Sequence, residues 1–286
     1  MTISLPEEKK CRIISLATRF LDGNGLTANE LRSFLGVLES VRPVVEIAPL
    51  HFRSLQCMLR PLRKGPWRGQ KFLVLTQEAR ADLRWWVTDF PTPPYLSAPL
   101  QRDSPNVEMM ADASGLHGWG GHSSRGEHCQ GTWSAMERKF HINRKEILAA
   151  HQALRNMMRQ GEHVHRSLDN QTAVSFINRM GGTRSRPLCM EAIQLWETVL
   201  DRQGWVKAVW VPREKNQLSD MLSKTQMNTW EFSLSPRLVT FLWDHWFTPQ
   251  VDVFASKKCH VLQHITADIQ IRKHRQGMRF PSGGGQ

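Results

Sequence analysis

Residues 107–121, VEMMADASGLHGWGG, decide the fold that this sequence predicts. The first seven residues are mostly apolar and predict a strand, and Asp112 lies within it. Glycines at 115, 118, 120 and 121 follow, and they predict a turn and a second strand around Trp119. The stretch therefore predicts the start of an antiparallel meander.

The pattern after this stretch changes to strands that alternate with helices. A third short strand lies between Gly126 and Gly131. The remaining elements are a helix at 141–158, a strand at 164–168, helices at 172–180 and 187–203, a strand at 205–211 and a helix at 216–224. Three sequential strands favour antiparallel pairing, and the later alternation favours parallel additions to the same sheet.

The first 95 residues predict a separate helical segment. Stretches 4–7 (SLPE) and 27–30 (TANE) have the form of capping boxes and predict two helix starts. A proline-rich connector follows at 91–94. The predicted organisation is a helical segment at 1–95, an α/β domain at 106–226, a C-terminal extension at 227–270 and a disordered tail at 271–286.

The composition is that of a basic globular protein. The 286 residues include 38 Lys and Arg against 26 Asp and Glu, a net charge of +12. No apolar run approaches the ~20 residues that a membrane helix needs, and no signal-type stretch begins the chain. Five scattered cysteines without a CxxC pair fit an intracellular setting, cytoplasmic or nuclear. These features exclude a membrane protein, a secreted disulfide module and a disordered chain, and weakly favour a polyanionic partner.

Four acidic residues occupy informative positions: Asp112 in the first strand, Glu146 early in the long helix, Asp169 after the fourth strand and Asp220 on the last helix. The first and fourth strands can be neighbours in a mixed sheet, so Asp112 and Asp169 would face each other. Packed carboxylates repel one another unless they hold hard divalent cations. Position alone does not distinguish such a cluster from four solvated acids.

The sequence around each acid resembles the ribonuclease H domain of reverse-transcribing elements. The matching motifs are ADAS and GWGG at 111–121, HINRKE at 141–146, LDNQTAV at 168–174 and the segment 211–224. The stretch INRMGGTRS at 177–185 is especially similar to DIRS-type retrotransposons, and VDVFAS at 251–256 matches a segment that follows this domain there. The N-terminal part resembles the thumb and connection of a reverse transcriptase.

This resemblance implies an α/β fold: a ribonuclease H-like five-stranded mixed sheet with flanking helices, preceded by a small all-α thumb/connection segment. It implies hydrolysis of the RNA strand of RNA–DNA hybrids by two Mg²⁺ ions, with Mn²⁺ as a substitute. Asp112 would bridge both ions, Glu146 and Asp169 would hold one of them, and Asp220 would complete the other. The implied partners are the hybrid and the polymerase portion of a parent polyprotein.

Two departures from the family favour an alternative, a catalytically weak or inactive nucleic-acid-binding relic of a reverse transcriptase. Trp210 stands where the family usually has His, and Lys145 stands where an apolar residue is usual. Lys145 is expected to pair with the carboxylates and compete with metal. The chain also lacks the Asp-Asp dipeptide of a polymerase palm.

Eight further residues are candidate nucleic-acid contacts. The two asparagines beside the acids are candidates for ribose 2′-hydroxyls or, equally, for capping local turns. The basic stretch at 60–71, with Trp67 among its charges, suits backbone tracking or a solvated linker, and two arginines after the glycine pair at 181–182 suit phosphate contacts or a plain basic loop. These residues are Asn143, Asn170, Arg63, Lys64, Trp67, Arg68, Arg184 and Arg186.

Overall fold

The structure is a computed structural model of the chain, and it describes residues 2–23, 25–63, 68–99, 104–224 and 236–247. The chain divides into two compact units, Met1–Thr225 and Gln226–Gln286. The described part of the second unit contains one helix, Pro236–His245, within the predicted C-terminal extension. Residues 227–235 and 248–270 of the predicted extension lie outside the described residues, as does the whole predicted tail.

The N-terminal segment is helical, as the sequence predicts. It contains α1 (Glu7–Asp22), α2 (Ala28–Ser40), α3 (Arg53–Met58) and α4 (Gln77–Thr88). Two short antiparallel pairs were not predicted: β1 (Thr2–Ser4) with β4 (Ser97–Pro99), and β2 (Leu26–Thr27) with β3 (Phe72–Leu73).

The two predicted capping boxes have different outcomes. The box at the start of α2 is confirmed: Thr27 Oγ1 accepts from the Glu30 amide at 3.3 Å, and Glu30 accepts from the Thr27 amide at 2.8 Å. The box at the start of α1 is wrong, because Pro6 occupies the N-cap and makes no side-chain cap. Ser4 pairs with Ser97 in β1 and β4, so its backbone is committed to a strand.

The α/β part, described over residues 104–224, contains five strands and four α-helices. The strands are β5 (Val107–Ala113), β6 (Gly118–Ser123), β7 (His128–Thr132), β8 (His163–Leu168) and β9 (Trp205–Trp210). The helices are α5 (Ile142–Met157), α6 (Gln171–Asn178), α7 (Arg186–Asp201) and α8 (Gln217–Lys224), and the helix of the second unit is α9.

The strands form one mixed sheet in the order β7-β6-β5-β8-β9. Strands β7, β6 and β5 pair antiparallel, whereas β8 joins β5 and β9 joins β8 in parallel. The predicted fold class, a ribonuclease H-like five-stranded mixed sheet with flanking helices, is confirmed by this order. The parallel β5–β8 pair brings the carboxyl ends of these strands to one edge of the sheet.

Adjacent glycines of β6 let helices approach both faces of the sheet. A Cβ on Gly121 would lie 2.8 Å from the Ala153 side chain of α5, and a Cβ on Gly120 would lie 2.4 Å from the Leu222 side chain of α8. Successive strand residues point to opposite faces. Helices α5 and α8 therefore cover opposite faces of the sheet.

The helical segment packs directly on the α/β part. Ile47 and Leu50 are buried in the same core as α5 and the sheet. Arg53 of α3 donates to the carbonyl oxygens of Arg179 and Met180, which begin the loop between α6 and α7. This packing places α3 against the loop that carries Arg184.

A substitution at Gly120 tests the close approach of α8 to β6. Gly120→Ala should lower the free energy of unfolding by about 1–3 kcal/mol, because the methyl group would overlap α8. Urea denaturation measures the change. Gly115→Ala is the matched control, since a Cβ there meets nothing within 4 Å. Equal effects of the two substitutions would contradict the close approach.

Candidate metal centre

Three of the four predicted acids meet at the carboxyl edge of β5 and β8. Asp112 lies near the end of β5, Asp169 directly follows β8, and Glu146 lies in the second turn of α5. One carboxylate oxygen from each lies within 4.8 Å of the others. Asp112 and Glu146 are buried, and Asp169 is partly exposed. We call this group the carboxylate triad.

Burial raises the pKa of every carboxyl group in the triad, and repulsion from other members of the triad adds to this for Asp112 and Glu146. Burial raises the pKa of Glu146 well above its usual value, and the charges of Asp112 and Asp169 raise it further. Burial also raises the pKa of Asp112 and of Asp169, against the lowering effect of Arg213. The charged forms of these carboxyl groups are therefore poorly solvated in the folded chain without a bound cation.

Neighbouring residues hold two members of the triad in place. The Ser223 hydroxyl of α8 donates to Asp112 Oδ2 at 2.7 Å. The Trp210 indole nitrogen donates to the Asp169 carbonyl oxygen at 2.9 Å, and 47% of Trp210 stays exposed. Trp210 thus occupies the rim of the site.

The fourth predicted acid, Asp220, is not part of the triad. Arg213 donates to Asp220 Oδ1 at 2.5 Å, and Lys224 donates to Asp220 Oδ2 at 2.6 Å. Burial acts to raise the pKa of Asp220, but these two cations outweigh it and the pKa is lowered. Sequence reasoning placed the 211–224 segment in the site but gave Arg213, Ser223 and Lys224 no role.

The expected pairing of Lys145 with the carboxylates is wrong. Lys145 Nζ donates to the carbonyl oxygens of Gly115 at 2.5 Å and Arg138 at 2.9 Å. Consecutive residues on a helix project about 100° apart, so Lys145 and Glu146 point to different neighbours. Lys145 instead ties the β5–β6 turn to the loop before α5.

The side chains of the two asparagines beside the acids bond to each other, and that of Asn170 also bonds to the backbone. Asn170 caps α6, because its Oδ1 accepts from the Ala173 amide at 3.0 Å. Its Nδ2 donates to Asn143 Oδ1, also at 3.0 Å. Both side chains therefore have local structural partners next to the triad.

The predicted basic contacts are dispersed. Arg186 pairs with Glu78 of α4, whereas Arg184 is exposed. Arg68 is exposed, and Arg63 ends a 3₁₀ turn, Arg60–Arg63. Lys64 and Trp67 lie outside the described residues.

An open groove of about 630 Å³ is lined by α6, which begins two residues after Asp169, and by the loop that follows α6. The residues that line it include three arginines and four hydroxyl side chains of α6 and the following loop, and none of them is acidic. The charged and hydroxyl residues are Arg53, Arg179, Arg184, Thr172, Ser175, Thr183 and Ser185. We call this cavity the basic groove.

Comparisons with solved structures returned ribonuclease H domains. Ribonuclease H1 from the archaeon Halobacterium salinarum is 19% identical over 41% of this chain and 92% of its own, with a TM-score of 0.33. The N-terminal ribonuclease H domain of a Mycobacterium tuberculosis protein is 15% identical over 43% of this chain and 98% of its own, with a TM-score of 0.33. LC11 ribonuclease H1, solved with an RNA/DNA hybrid, is 16% identical over 41% and 93%, with the same TM-score.

No protein-family model matches the sequence, and no curated protein matches it. Among the helices of the described residues, none has the length and apolar character needed to cross a membrane.

The raised pKa of Glu146 predicts how the stability of the metal-free chain depends on pH. Its raised pKa means that the folded state holds a proton above pH 4.5 that the unfolded state releases, so stability falls as pH rises. Glu146→Gln should remove this loss, worth about 1.4 kcal/mol for each pH unit by which the folded-state pKa is raised.

Urea midpoints in EDTA between about pH 5 and about pH 8 measure this effect. Glu214→Gln, at an exposed position, is the control. Parallel pH profiles for the wild type and Glu146→Gln would contradict the raised pKa.

Proposed function

We propose that this chain is a metal-dependent nuclease of ribonuclease H type, which hydrolyses the RNA strand of RNA–DNA hybrids. The observation that supports this most is the convergence of Asp112, Glu146 and Asp169 from three separate elements onto one site. Keeping three carboxylates together costs free energy unless a cation offsets their repulsion. A site built at that cost favours a role in binding a cation over three acids that meet by chance.

The residues of the triad fit a hard divalent cation such as Mg²⁺ or Mn²⁺. All the donors are oxygen atoms, which such ions prefer. Glu146 Oε2 is buried and has no hydrogen-bond partner among the described residues, so it is available as a ligand. Asp112, Glu146 and Asp169 would hold the ion. A divalent ion bound there would lower the pKa of a water molecule and stabilise charge on a phosphoryl oxygen.

The other residues of the site position the ligands. Ser223 fixes the orientation of the Asp112 carboxylate, and Trp210 fixes the backbone at Asp169. The exposed face of Trp210 is available to pack against a sugar or base of a bound strand. The hybrid as substrate rests on the motifs around the acids, which resemble those of ribonuclease H.

The basic groove supports contact with a nucleic-acid backbone beside the triad. Its arginines and hydroxyl groups are typical donors to phosphate oxygens, and no acid among its lining residues opposes a polyanion. A strand that crosses the triad would continue along α6 into this groove. Arg184 is the predicted contact that lies there, whereas Arg186 is engaged with Glu78.

The origin of the chain is a narrower proposal. The motifs at 177–185 and 251–256 support descent from a DIRS-type retrotransposon polyprotein, with the N-terminal helices as the thumb and connection of its reverse transcriptase. The polymerase portion would then be a partner. The setting would be intracellular, in the cytoplasm or nucleus.

The alternative function is nucleic-acid binding without cleavage. The specific observations that favour it are Trp210 at the position of the usual His and the ion pairs that engage Asp220. The basic groove serves either function. Cleavage therefore has to be measured separately from binding.

A cleavage assay with a substitution at Asp169 tests the proposed function. The wild-type chain should cleave the RNA strand of a labelled hybrid in Mg²⁺ or Mn²⁺. Asp169→Asn should lower the rate by at least about 10²-fold, because it removes a ligand charge. It should also remove the rise in melting temperature that Mg²⁺ gives the wild type by linkage.

Asp201→Asn, an exposed position on α7, is the matched control and should keep both properties. Hybrid binding without cleavage or metal stabilisation would favour the non-catalytic alternative. Residual cleavage by Asp169→Asn at the wild-type rate would contradict the assignment of the site.

A substitution at Arg184 tests whether the basic groove contributes to hybrid binding. Arg184→Gln should weaken hybrid binding and reduce the slope of log affinity against log salt by about 1, because one phosphate contact is lost. Fluorescence anisotropy at several salt concentrations measures the slope. Arg155→Gln, exposed on α5, is the control with the same charge change. Equal slopes for both variants would exclude a contact at Arg184.

A further inference from the structure

Both carboxylate oxygens of Asp220 are occupied by cations of the chain itself. Arg213 bonds Oδ1 at 2.5 Å, and Lys224 bonds Oδ2 at 2.6 Å. A metal ion at Asp220 would have to displace one of these cations. The pairing leaves Asp220, Arg213 and Lys224 with a net charge of +1 beside the triad.

This ion-paired cluster stands on a buried framework. Asn216 is fully buried, and its side-chain nitrogen donates to the Ala111 carbonyl oxygen of β5 at 2.9 Å. The Asp220 amide donates to the Asn216 carbonyl oxygen at 3.0 Å, which fixes the start of α8. Arg213 lies on the 3₁₀ turn Arg213–Lys215 that leads into Asn216. The position of the cluster relative to β5 is therefore set by buried contacts.

The Arg213 guanidinium lies within electrostatic reach of the triad. Its charge lowers the pKa of Asp112, Glu146 and Asp169, although burial outweighs this effect in each case. The Arg213 side chain is 64% exposed. A guanidinium has five N–H donors in a planar fork that matches a phosphate group, and one nitrogen engages Asp220.

We propose that Arg213 and Lys224, held by Asp220, take the place of a second divalent cation. On this proposal the chain binds one ion at Asp112, Glu146 and Asp169, and Arg213 binds a non-bridging oxygen of the substrate phosphate. The phosphate contact rests on the proposed function, whereas the number of bound ions does not. The role of Asp220 is then to position Arg213.

The number of bound ions can be measured whether or not the chain is active, and it tests the proposal that one ion binds. Titration of the full chain with Mn²⁺, followed by calorimetry and by electron paramagnetic resonance, should give one bound ion per chain. Asp169→Asn should weaken the binding of that ion by more than about tenfold. Asp220→Asn should leave the number of ions and the affinity within about threefold of the wild type, because Asp220 is not a ligand.

Two bound ions in the wild type, one of which is lost in Asp220→Asn, would overturn the proposal. Circular dichroism of each variant establishes that it is folded. If Asp220→Asn is unfolded, the ion count of the wild type decides.

Kinetics with Arg213 variants test the second half. Arg213→Gln should lower kcat for hybrid cleavage by about 10²-fold, as loss of one preorganised donor to a developing charge does. Arg213→Lys should restore part of this loss, and both variants should bind one ion. Lys215→Gln, an exposed cation on the same 3₁₀ turn, should stay close to the wild type.

An unchanged or raised kcat in Arg213→Gln, or a second bound ion, would show that Arg213 only competes with metal and would overturn the proposal. A wild type that binds one ion but cleaves no hybrid would contradict the proposed function while it supports the ion count. A wild type that binds two ions would contradict the proposal even if it cleaves.

Discussion

Repulsion among three carboxylates at one edge of the sheet is the constraint on which the rest of the structure depends. Asp112, Glu146 and Asp169 keep their ligand atoms within 4.8 Å of one another, and burial raises the pKa of each. Such a group relaxes apart unless rigid elements hold it. Two central parallel strands and the first turns of α5 supply that rigidity, since their backbones are fixed by hydrogen bonds within the sheet and the helix.

The glycines of β6 allow the site to be closed from both faces. Gly121 admits α5, which brings Glu146, and Gly120 admits α8, which brings Ser223 to Asp112. The helical segment adds a further support, because Arg53 bonds the start of the loop that lines the basic groove. The geometry of the triad and of the basic groove thus depends on packing that begins well outside the motifs around the acids.

Charge is distributed differently on the two sides of the site. The carboxylates of the triad suit a metal ion, whereas Arg213, Lys224 and the arginines of the basic groove carry positive charge that suits phosphate. On the proposed function both are needed, because the carboxylates would otherwise repel a polyanionic substrate. The net charge of +12 fits this division of roles.

The sequence by itself determined the sheet and the triad. Alternating apolar residues, glycine turns and the order of strands and helices predicted a mixed sheet, and the residues around Asp112, Glu146 and Asp169 indicated that these acids meet. Local periodicity is enough for the sheet, because it fixes which face of an element is buried, whereas the meeting of the acids was predicted from the resemblance of their motifs to those of ribonuclease H. The domain boundaries predicted from the proline-rich connector stay predictions.

Only the tertiary structure decided which partners the charged side chains take. Lys145 turns to Gly115 rather than to the triad, Arg186 pairs with Glu78, and Asp220 pairs with Arg213 and Lys224. A long charged side chain forms hydrogen bonds or ion pairs with the groups near it in space. Which groups are near depends on the packing of elements that lie far apart in the chain. The physical reason is that ion pairs follow distance in space, whereas the pattern of a sequence specifies only the local direction of each residue.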